Sequence, residues 1–574
     1  MRTGGRRASC NSDRDMSRRR PHPLVLALLS VLAVGIPAEA GAAAETATRH
    51  VVMVVWDGLR PDFVSPQYTP TLHELARRGT FFRRHHCSYV SSTEVNGTAL
   101  ATGAHPAHSG ILANSQYRPD LSWLGPFGTE QLDPVRRGDL LSGGRYLAVP
   151  TLPELLQAAG IPTAVAGSKG VVLLHDRAPR GTNAAQRESV NLFRGVTLPR
   201  AALEVLKTNS AIGPPPTPAI DPASNKERLL SWVRKARDKA LTQLGGNPVV
   251  TPDSRRWDTW TTRALVHGLW EPSVPKYSVL WLAEPDASQH ETSPGSPHAL
   301  AALRTADQHL AELIQALKDR GAFEQTDILV VSDHGFSTVD HGPDLTAALR
   351  GAGFVAGTSF SNPEAGDVLT VNLGGSTLFY VFDHHPPTVE RLVEFLQGTD
   401  FAGVIFSAVP LPGTFPLSLA RVDTGPTAPD VVVAMRWKEA RNAWGTPGTI
   451  AAVGGRIGSG AHGSLSRFDM NNTLIAAGPG FRAGLVNETP SGNIDLAPTV
   501  LALLGVPAPD SVDGRVLTEA LANVPAGSAP PKAQSETFKA SHDLGYRQWT
   551  QTLTVSRVGG VIYLDEGNGE ATLK

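Results

Sequence analysis

Three separate stretches of the chain are apolar runs that lead into an aspartate, and this pattern constrains the fold most. The runs and their acids are His50–Trp56 with Asp57, Lys276–Pro285 with Asp286, and Asp327–Ser332 with Asp333. Continuous β-branched runs of this length are typical of buried parallel strands, whose carboxyl ends form the ligand-binding edge of an open α/β sheet. The sequence therefore predicts an α/β fold with a doubly wound, mostly parallel sheet flanked by helices.

Length and charge limit the classes of protein to which the chain can belong. The chain has 574 residues, of which 41% are hydrophobic, so it can bury a large core. Its formal net charge of -1 argues against a role in coating nucleic acid or in polybasic membrane binding. The length predicts one large α/β domain with insertions, or two to three smaller domains.

The N-terminus has the pattern of an export signal. Arg18, Arg19 and Arg20 precede an apolar run over 24–36, which is too short to span a bilayer, and a small-residue ending follows at 37–40. We expect residues 1–40 to be a signal peptide and the mature protein to be periplasmic or secreted, without a membrane span. Cleavage would leave Cys87 as the single cysteine, so no internal disulfide is expected.

The domain organisation is predicted from the positions at which the alternation of strands and helices is interrupted. Residues 41–574 are predicted to form one catalytic domain with insertions at about 180–275 and 340–440 that act as cap segments. A C-terminal hairpin is predicted at about 545–566, where two alternating stretches occur. Three tryptophans of the first insertion are expected to pack it against the core rather than to face a ligand.

A helix start carries the candidate nucleophile. Thr93 opens a predicted helix after Ser91 and Ser92, and Asn96 lies one turn further on. A helix N-terminus offers unpaired backbone N–H groups and a positive dipole end, which suit an anion. Taken alone, the segment is an ordinary helix cap, and its chemical interpretation depends on the rest of the chain.

Histidines accompany the strand-end acids. His290 follows Asp286 by four residues, His334 adjoins Asp333, and His462 lies in a glycine-rich loop. Buried carboxylates are costly unless they are paired or bound to metal. A mixture of oxygen and imidazole donors without thiolate is the ligand set of a two-metal phosphoryl-transfer site.

The motifs together resemble the alkaline phosphatase superfamily, and within it the type I phosphodiesterase/nucleotide pyrophosphatase family, from about residue 50 to 505. They are Val55-Trp56-Asp57-Gly58-Leu59-Arg60-Pro61-Asp62, Thr93 with Asn96, Glu284-Pro285-Asp286 with His290, Ser332-Asp333-His334-Gly335, and Ala461-His462-Gly463. The resemblance implies an alkaline-phosphatase-like sheet and hydrolysis of a small phosphate ester through a phospho-threonine intermediate on Thr93.

The resemblance also implies two divalent metal ions, with zinc the usual choice and manganese or iron as alternatives. One metal would be held by Asp57, Thr93, Asp333 and His334, and it would lower the pKa of the Thr93 hydroxyl. The other would be held by Asp286, His290 and His462, and would stabilise the leaving group and then activate water. Asn96 would donate to a non-bridging phosphoryl oxygen.

Two departures from the family pattern bear on the substrate. Glu94 follows the nucleophile where nucleotide pyrophosphatases often have an aromatic residue that stacks on the base, so a nucleotide preference is not implied. Lys169 matches a lysine of related monoester phosphatases, but Val171 stands where those enzymes have an arginine. A phosphomonoesterase using Lys169 is therefore the alternative function, although a surface lysine in a turn is the more ordinary interpretation.

Other classes fit less well. A sulfatase would need a C-x-P-x-R motif, which Cys87-Ser-Tyr-Val-Ser does not provide. The near-match Ala166-Gly-Ser168-Lys-Gly170 to a serine hydrolase motif does not account for the acids and histidines. A non-enzymatic binding protein would be expected to have lost the ligand residues. Substrate identity and oligomeric state stay open at this point.

Overall fold

The computed structural model describes residues 50–177, 181, 183–216, 253–523 and 529–574. The predicted signal peptide and the part of the first insertion at 217–252 lie outside these residues. Among the helices that are described, none combines the length and apolar character needed to cross a membrane.

A central nine-stranded sheet organises the molecule. Its strands in spatial order are Leu485–Asn487, Thr80–Phe82, Leu474–Ala477, Thr326–Val331, His50–Trp56, Tyr277–Leu282, Thr163–Gly167, Val190–Phe193 and Val196–Leu198. The five neighbours from Thr326–Val331 to Val190–Phe193 pair in parallel. The predicted doubly wound, mostly parallel sheet is confirmed.

The register of the central strands brings their ends to one level. Val55 pairs with Val331 on one side and with Trp281 on the other. Chain segments that leave these three strands therefore emerge side by side, and each carries one of the predicted acids one to four residues after its strand ends. This alignment follows from the parallel pairing alone.

Both faces of the sheet are covered, as a continuous apolar strand requires. In the strand His50–Trp56, Val51, Met53 and Val55 pack into the core on one face, and Val52, Val54 and Trp56 pack into the core on the other.

The α-helices of the described residues are Pro70–Arg78, Thr93–Thr102, Pro106–Ser109, Leu132–Ser142, Leu152–Ala158, Ala184–Glu188, Ala201–Thr208, Asp253–Ala264, Asp286–Thr292, Pro297–Asp319, Leu345–Gly351, Pro386–Gln397, Arg467–Met470 and Leu496–Leu503.

The first predicted insertion is partly integrated into the core. Two of its strands extend the edge of the central sheet, and its helix Asp253–Ala264 packs beside it. Trp260 and Trp270 are buried in the same core cluster, and the Trp270 indole donates to the Ser278 hydroxyl at 2.9 Å. These two tryptophans pack the segment against the body of the protein.

The second predicted insertion contains a sheet of its own. A six-stranded sheet comprises Ala356–Gly357, Val368–Asn372, Ser376–Val381, Val431–Met435, Ala402–Ser407 and Phe415–Pro416.

A four-stranded sheet comprises Trp437–Arg441, Pro447–Ala451, Ser337–His341 and Gly460–Ala461. Short two-stranded pairs join Ser491–Gly492 to His85–His86 and Ser115–Gln116 to Phe127–Gly128.

The C-terminus forms a larger unit than the predicted hairpin at 545–566. Three antiparallel strands, Ala533–Asp543, Arg547–Val558 and Val561–Leu573, make one sheet. The Gln551 side chain bonds both backbone groups of Ile405 at 2.8 and 3.1 Å, which attaches this sheet to the six-stranded one.

Candidate functional site

The three predicted carboxylates converge at the strand ends. One oxygen of each, Asp57 Oδ1, Asp286 Oδ1 and Asp333 Oδ2, is buried and accepts no hydrogen bond within the described residues. Burial and the neighbouring Asp333 carboxylate raise the pKa of Asp57 well above its ordinary value. A buried carboxylate oxygen without a partner is stabilised by a proton or by a bound cation.

Three histidines face these oxygens with a defined ring orientation. The Nδ1 atoms of His290, His334 and His462 contact the backbone carbonyls of Gly460, Gly335 and Ser91 at 3.1, 2.8 and 2.8 Å. A carbonyl only accepts, so each Nδ1 donates and each ring directs its Nε2 atom to the site. A backbone contact of this kind fixes the orientation in which a histidine can bind a metal.

The Nε2 atoms lie close to the unpaired oxygens. His290 Nε2 is 3.2 Å and His462 Nε2 3.5 Å from Asp286 Oδ1. His334 Nε2 is 3.3 Å from Asp333 Oδ2 and 3.6 Å from Asp57 Oδ1. Candidate ligand atoms within 4.8 Å of one another form two clusters. The first contains Asp286, His290 and His462, and the second contains Asp57, Asp286 and His334. Asp286 belongs to both.

The three imidazoles pack against one another and against an aromatic ring. The His334 and His462 rings stack at a centroid distance of 3.7 Å, and the buried Phe336 ring contacts His290, His334 and His462. Burial and the two neighbouring histidines lower the pKa of His462 well below its ordinary value. Neutral imidazole is the form that binds a metal ion.

Thr93 is at the predicted helix start, directly beside this cluster. It is the first residue of the helix Thr93–Thr102, and Ser92 is the N-cap. Its Oγ1 atom lies 3.3 Å from His334 Nε2. The hydroxyl therefore shares the site with the strand-end ligands, although it is distant from them in sequence.

Lys169 lies within the site and not on the surface, contrary to the more ordinary interpretation of the sequence. Its Nζ atom is 2.8 Å from Asp57 Oδ2 and 2.7 Å from Asp286 Oδ2. Burial alone would raise the pKa of Asp286, but the Lys169 ammonium and His290 hold it well below its ordinary value. Lys169 follows the strand Thr163–Gly167, which neighbours the strand before Asp286.

Asn96 does not have a free donor, in contrast to its predicted role. Its amide group donates to the carbonyls of Ser88, Val90 and Ser92, and its Oδ1 accepts from the Ser88 backbone N–H and the Asn493 side chain. A fully buried amide with these bonds holds the loop before Thr93 in place. The hydrogen-bond partners of Asn96 are therefore groups of the protein itself.

A different amide, which the sequence reasoning missed, lies at the helix start. Asn114 Oδ1 accepts from the Glu94 backbone N–H at 3.2 Å, and its Nδ2 group has no hydrogen-bond partner in the described part of the chain. Asn114 follows an apolar Ile111–Ala113 segment and carries no local motif, so only the tertiary contact identifies it.

Glu94 is buried beside a second carboxylate. Its Oε2 atom accepts no hydrogen bond from the described residues. Burial, and after it the charge of Glu130, raise the pKa of Glu94 well above its ordinary value. Glu130 lies against Gly170, since a Cβ atom placed there would be 2.8 Å from its Oε2. One wall of the site is therefore acidic.

Several further residues support the ligands without any sequence signal. The Trp281 indole donates to Asp57 Oδ2 at 2.9 Å. The Gly58 backbone N–H donates to Asp333 Oδ1 at 3.0 Å, from a positive φ of 74° that favours glycine. Asp258 accepts from the Ser168 hydroxyl at 2.5 Å and the Ala283 N–H at 2.8 Å, which ties the loops bearing Lys169 and Asp286 together.

Solved structures share this architecture. Human ectonucleotide pyrophosphatase/phosphodiesterase 5 superposes with a TM-score of 0.52 at 16% identity, covering 83% of this chain and 100% of that one. The murine protein gives a TM-score of 0.51 at 15% identity over 80% and 96% of the two chains, and an inactive variant of it was solved in complex with AMP. The chain therefore shares the fold of these proteins.

The family follows from the sequence match. Residues 51–438, more than half of the chain, match the type I phosphodiesterase / nucleotide pyrophosphatase family. The chain belongs to this family, as the motifs predicted.

Curated relatives match more locally. Bovine bis(5'-adenosyl)-triphosphatase ENPP4 is 20% identical over 322 residues, 55% of this chain and 52% of that protein. Mouse ectonucleotide pyrophosphatase/phosphodiesterase family member 1 is 36% identical over 61 residues, 11% and 7% of the two chains. Venom phosphodiesterase of Naja atra is 31% identical over 65 residues, 11% and 8%. The matched segments therefore span about half or less of these relatives.

Proposed function

We propose that this protein is an exported two-metal hydrolase of phosphoric esters, of the phosphodiesterase/nucleotide pyrophosphatase type, that acts through a phospho-threonine intermediate. The observation that carries the proposal is the position of Thr93 Oγ1, 3.3 Å from His334 Nε2 at the edge of a cluster of buried carboxylates and imidazoles. Family membership and the family's chemistry support it.

The residues present fit two divalent cations. Three buried carboxylate oxygens accept no hydrogen bond within the described residues, and three imidazoles present Nε2 atoms to them. Asp57, Thr93, Asp333 and His334 would hold one ion, and Asp286, His290 and His462 the other. Zinc suits this mixture of nitrogen and oxygen ligands, and bound divalent ions would supply charge stabilisation to the attacking and leaving oxygens.

The chain's own residues perform the transfer in two steps. Thr93 Oγ1 loses its proton and forms a bond to phosphorus, while the bond from phosphorus to the leaving oxygen breaks and that oxygen leaves as an alcohol with one proton. Water then forms a bond to the same phosphorus as the bond from phosphorus to Thr93 Oγ1 breaks, and one proton of the water passes to Thr93 Oγ1 to restore the hydroxyl. The helix start orients the phosphoryl oxygens throughout, because its N–H groups and dipole favour negative charge.

Amide donation to the phosphoryl group falls to Asn114 in this proposal. Its Oδ1 is held by the Glu94 N–H, which leaves the Nδ2 group at the same helix start as Thr93. A fixed donor of this kind strengthens as charge develops in the transition state.

The two asparagines give a paired prediction. Asn114→Ala is expected to lower kcat by about 10²–10³-fold with little change in thermal stability, as for loss of one transition-state donor. Asn96→Ala is expected to reduce the free energy of unfolding by about 2 kcal/mol or more, because buried groups of residues 88–92 lose their partner. Steady-state kinetics and thermal melting of both variants check the assignment, and a reversed pattern would return the donor role to Asn96.

The substrate class is tested by a comparison of two esters. We expect bis(p-nitrophenyl) phosphate, a diester, to be hydrolysed with a higher kcat/KM than p-nitrophenyl phosphate, a monoester. The Glu130 carboxylate, which lies against Gly170 on the acidic wall, disfavours a substrate with an additional negative charge. A large preference for the monoester would instead support the alternative function, a phosphomonoesterase.

One observation favours that alternative, namely the Lys169 ammonium within the site. If it contacts the transferred group, Lys169→Ala should lower kcat/KM for the monoester about 10- to 100-fold more than for the diester, because a monoester carries the additional oxyanion. Lys207→Ala on the exposed surface is the control. Equal losses on both esters would remove Lys169 from monoester recognition.

A further inference from the structure

Lys169 binds the two halves of the candidate metal site at once. Its ammonium contacts Asp57 and Asp286, which belong to different proposed ions. In the described part of the chain, no other lysine or arginine forms an ion pair with Asp57, Asp286 or Asp333. This single ammonium therefore offsets part of the negative charge of the site's carboxylates.

We propose that Lys169 is a built-in counter-cation that takes the place of divalent ions in the metal-free protein and opposes their binding. The inference rests on the proposed metal site and goes beyond it, since it concerns how the site is filled.

Charge balance is the physical basis. Three buried carboxylates and one ammonium leave the metal-free site negative, so the ammonium is attracted to it. Two divalent ions bring four positive charges against three carboxylates, and the ammonium then adds to an excess of positive charge. Metal binding therefore has to overcome the attraction of Lys169 for both acids and its repulsion of the incoming ions.

The acidic wall offers the displaced ammonium a second position. Glu94 Oε2 is buried without a hydrogen-bond partner among the described residues, and the Lys169 charge already acts on Glu94. Glu130 lies against Gly170, the residue next to Lys169. Movement of the Lys169 side chain toward Glu94 and Glu130 would replace its contacts with Asp57 and Asp286.

The first test measures zinc affinity and metal-free stability together. Zinc dissociation constants, obtained by competition with a chromogenic chelator, are compared for the parent protein, Lys169→Gln and Lys169→Met. Both variants are expected to bind zinc about tenfold more tightly or better, which is about 1.4 kcal/mol. Their metal-free melting temperatures are expected to fall by about 2 °C or more, because the carboxylates lose their counter-cation.

Two controls make the outcome specific. Lys169→Arg keeps the charge and should retain the parent affinity within a few-fold, and Lys207→Gln removes an exposed lysine and should change neither quantity. Unchanged or weaker zinc binding in Lys169→Gln and Lys169→Met would overturn the inference while leaving the metal site intact. A parent protein that binds no zinc, manganese or iron would contradict the proposed metal site itself, and this inference with it.

The second position is tested by a double-mutant cycle. Glu94→Gln should weaken zinc binding more in the parent than in the Lys169→Met background, because only the parent has an ammonium to relocate. Additive effects would show that Lys169 stays in place, which would overturn the relocation.

Discussion

Replacement of Thr93 by alanine is expected to abolish phosphate-ester hydrolysis while the protein still folds and binds metal. The hydroxyl is the one nucleophile that the helix start places beside His334, and alanine removes it without disturbing the strand-end ligands. We expect a loss of at least about 10³-fold in kcat/KM, which is about 4 kcal/mol of transition-state stabilisation. Circular dichroism and metal content should match the parent protein.

Covalent trapping makes this prediction sharper. Acid quenching of the parent enzyme with substrate should leave a phosphoryl group on the peptide that contains Thr93, detectable by mass spectrometry, and Thr93→Ala should show none. Thr93→Ser should recover part of the activity, and Thr98→Ala on the same helix is a matched control. A Thr93→Ala rate within about tenfold of the parent, some 1.4 kcal/mol, would rule out the nucleophile assignment.

Removal of metal is expected to have an effect at least as large. Chelation should reduce activity by about 10⁴-fold or below detection, and zinc should restore it, because the carboxylate and imidazole cluster provides no other source of comparable charge stabilisation. Asp286→Asn should reproduce the loss most strongly among single variants, since Asp286 belongs to both ligand clusters. Elemental analysis should then show loss of bound metal.

A distant histidine provides the control for the ligand variants. His108 is exposed and paired with Asp513, so His108→Ala should keep both metal content and activity. Full activity in the chelated protein, verified metal-free, would contradict the two-metal mechanism whatever the ligand variants do.

Local sequence was sufficient where function depends on strand ends. A buried parallel strand has to be apolar along its whole length, so an aspartate can occur only where the strand ends, and Asp57 and Asp333 were visible for that reason. The helix beginning at Thr93 and the mostly parallel sheet were predicted correctly on the same local grounds.

Side-chain partners could not be obtained in this way. Asn96 and Asn114 have the same chemistry, and their backbone partners decide which amide is free. The Asn96 Nδ2 group donates to carbonyls of residues 88–92, whereas the side chain of Asn114 only accepts, from the Glu94 backbone N–H. Lys169 in a glycine turn would ordinarily be exposed, but the neighbouring strand places Asp286 2.7 Å from its ammonium. The C-terminal strands likewise became a three-stranded sheet through pairing that alternation alone does not specify.

Local sequence patterns thus predicted the mostly parallel sheet, the acids at the ends of its strands and the helix that begins at Thr93. The folded structure was needed to identify the carboxylate oxygens without partners, the nitrogen that each histidine directs to the site and the position of the Lys169 ammonium. Backbone conformation and burial pattern depend mainly on neighbours along the chain, so they can be predicted from local sequence. Hydrogen bonds and Coulomb interactions in the site depend on distances of a few ångströms between residues that are far apart in sequence.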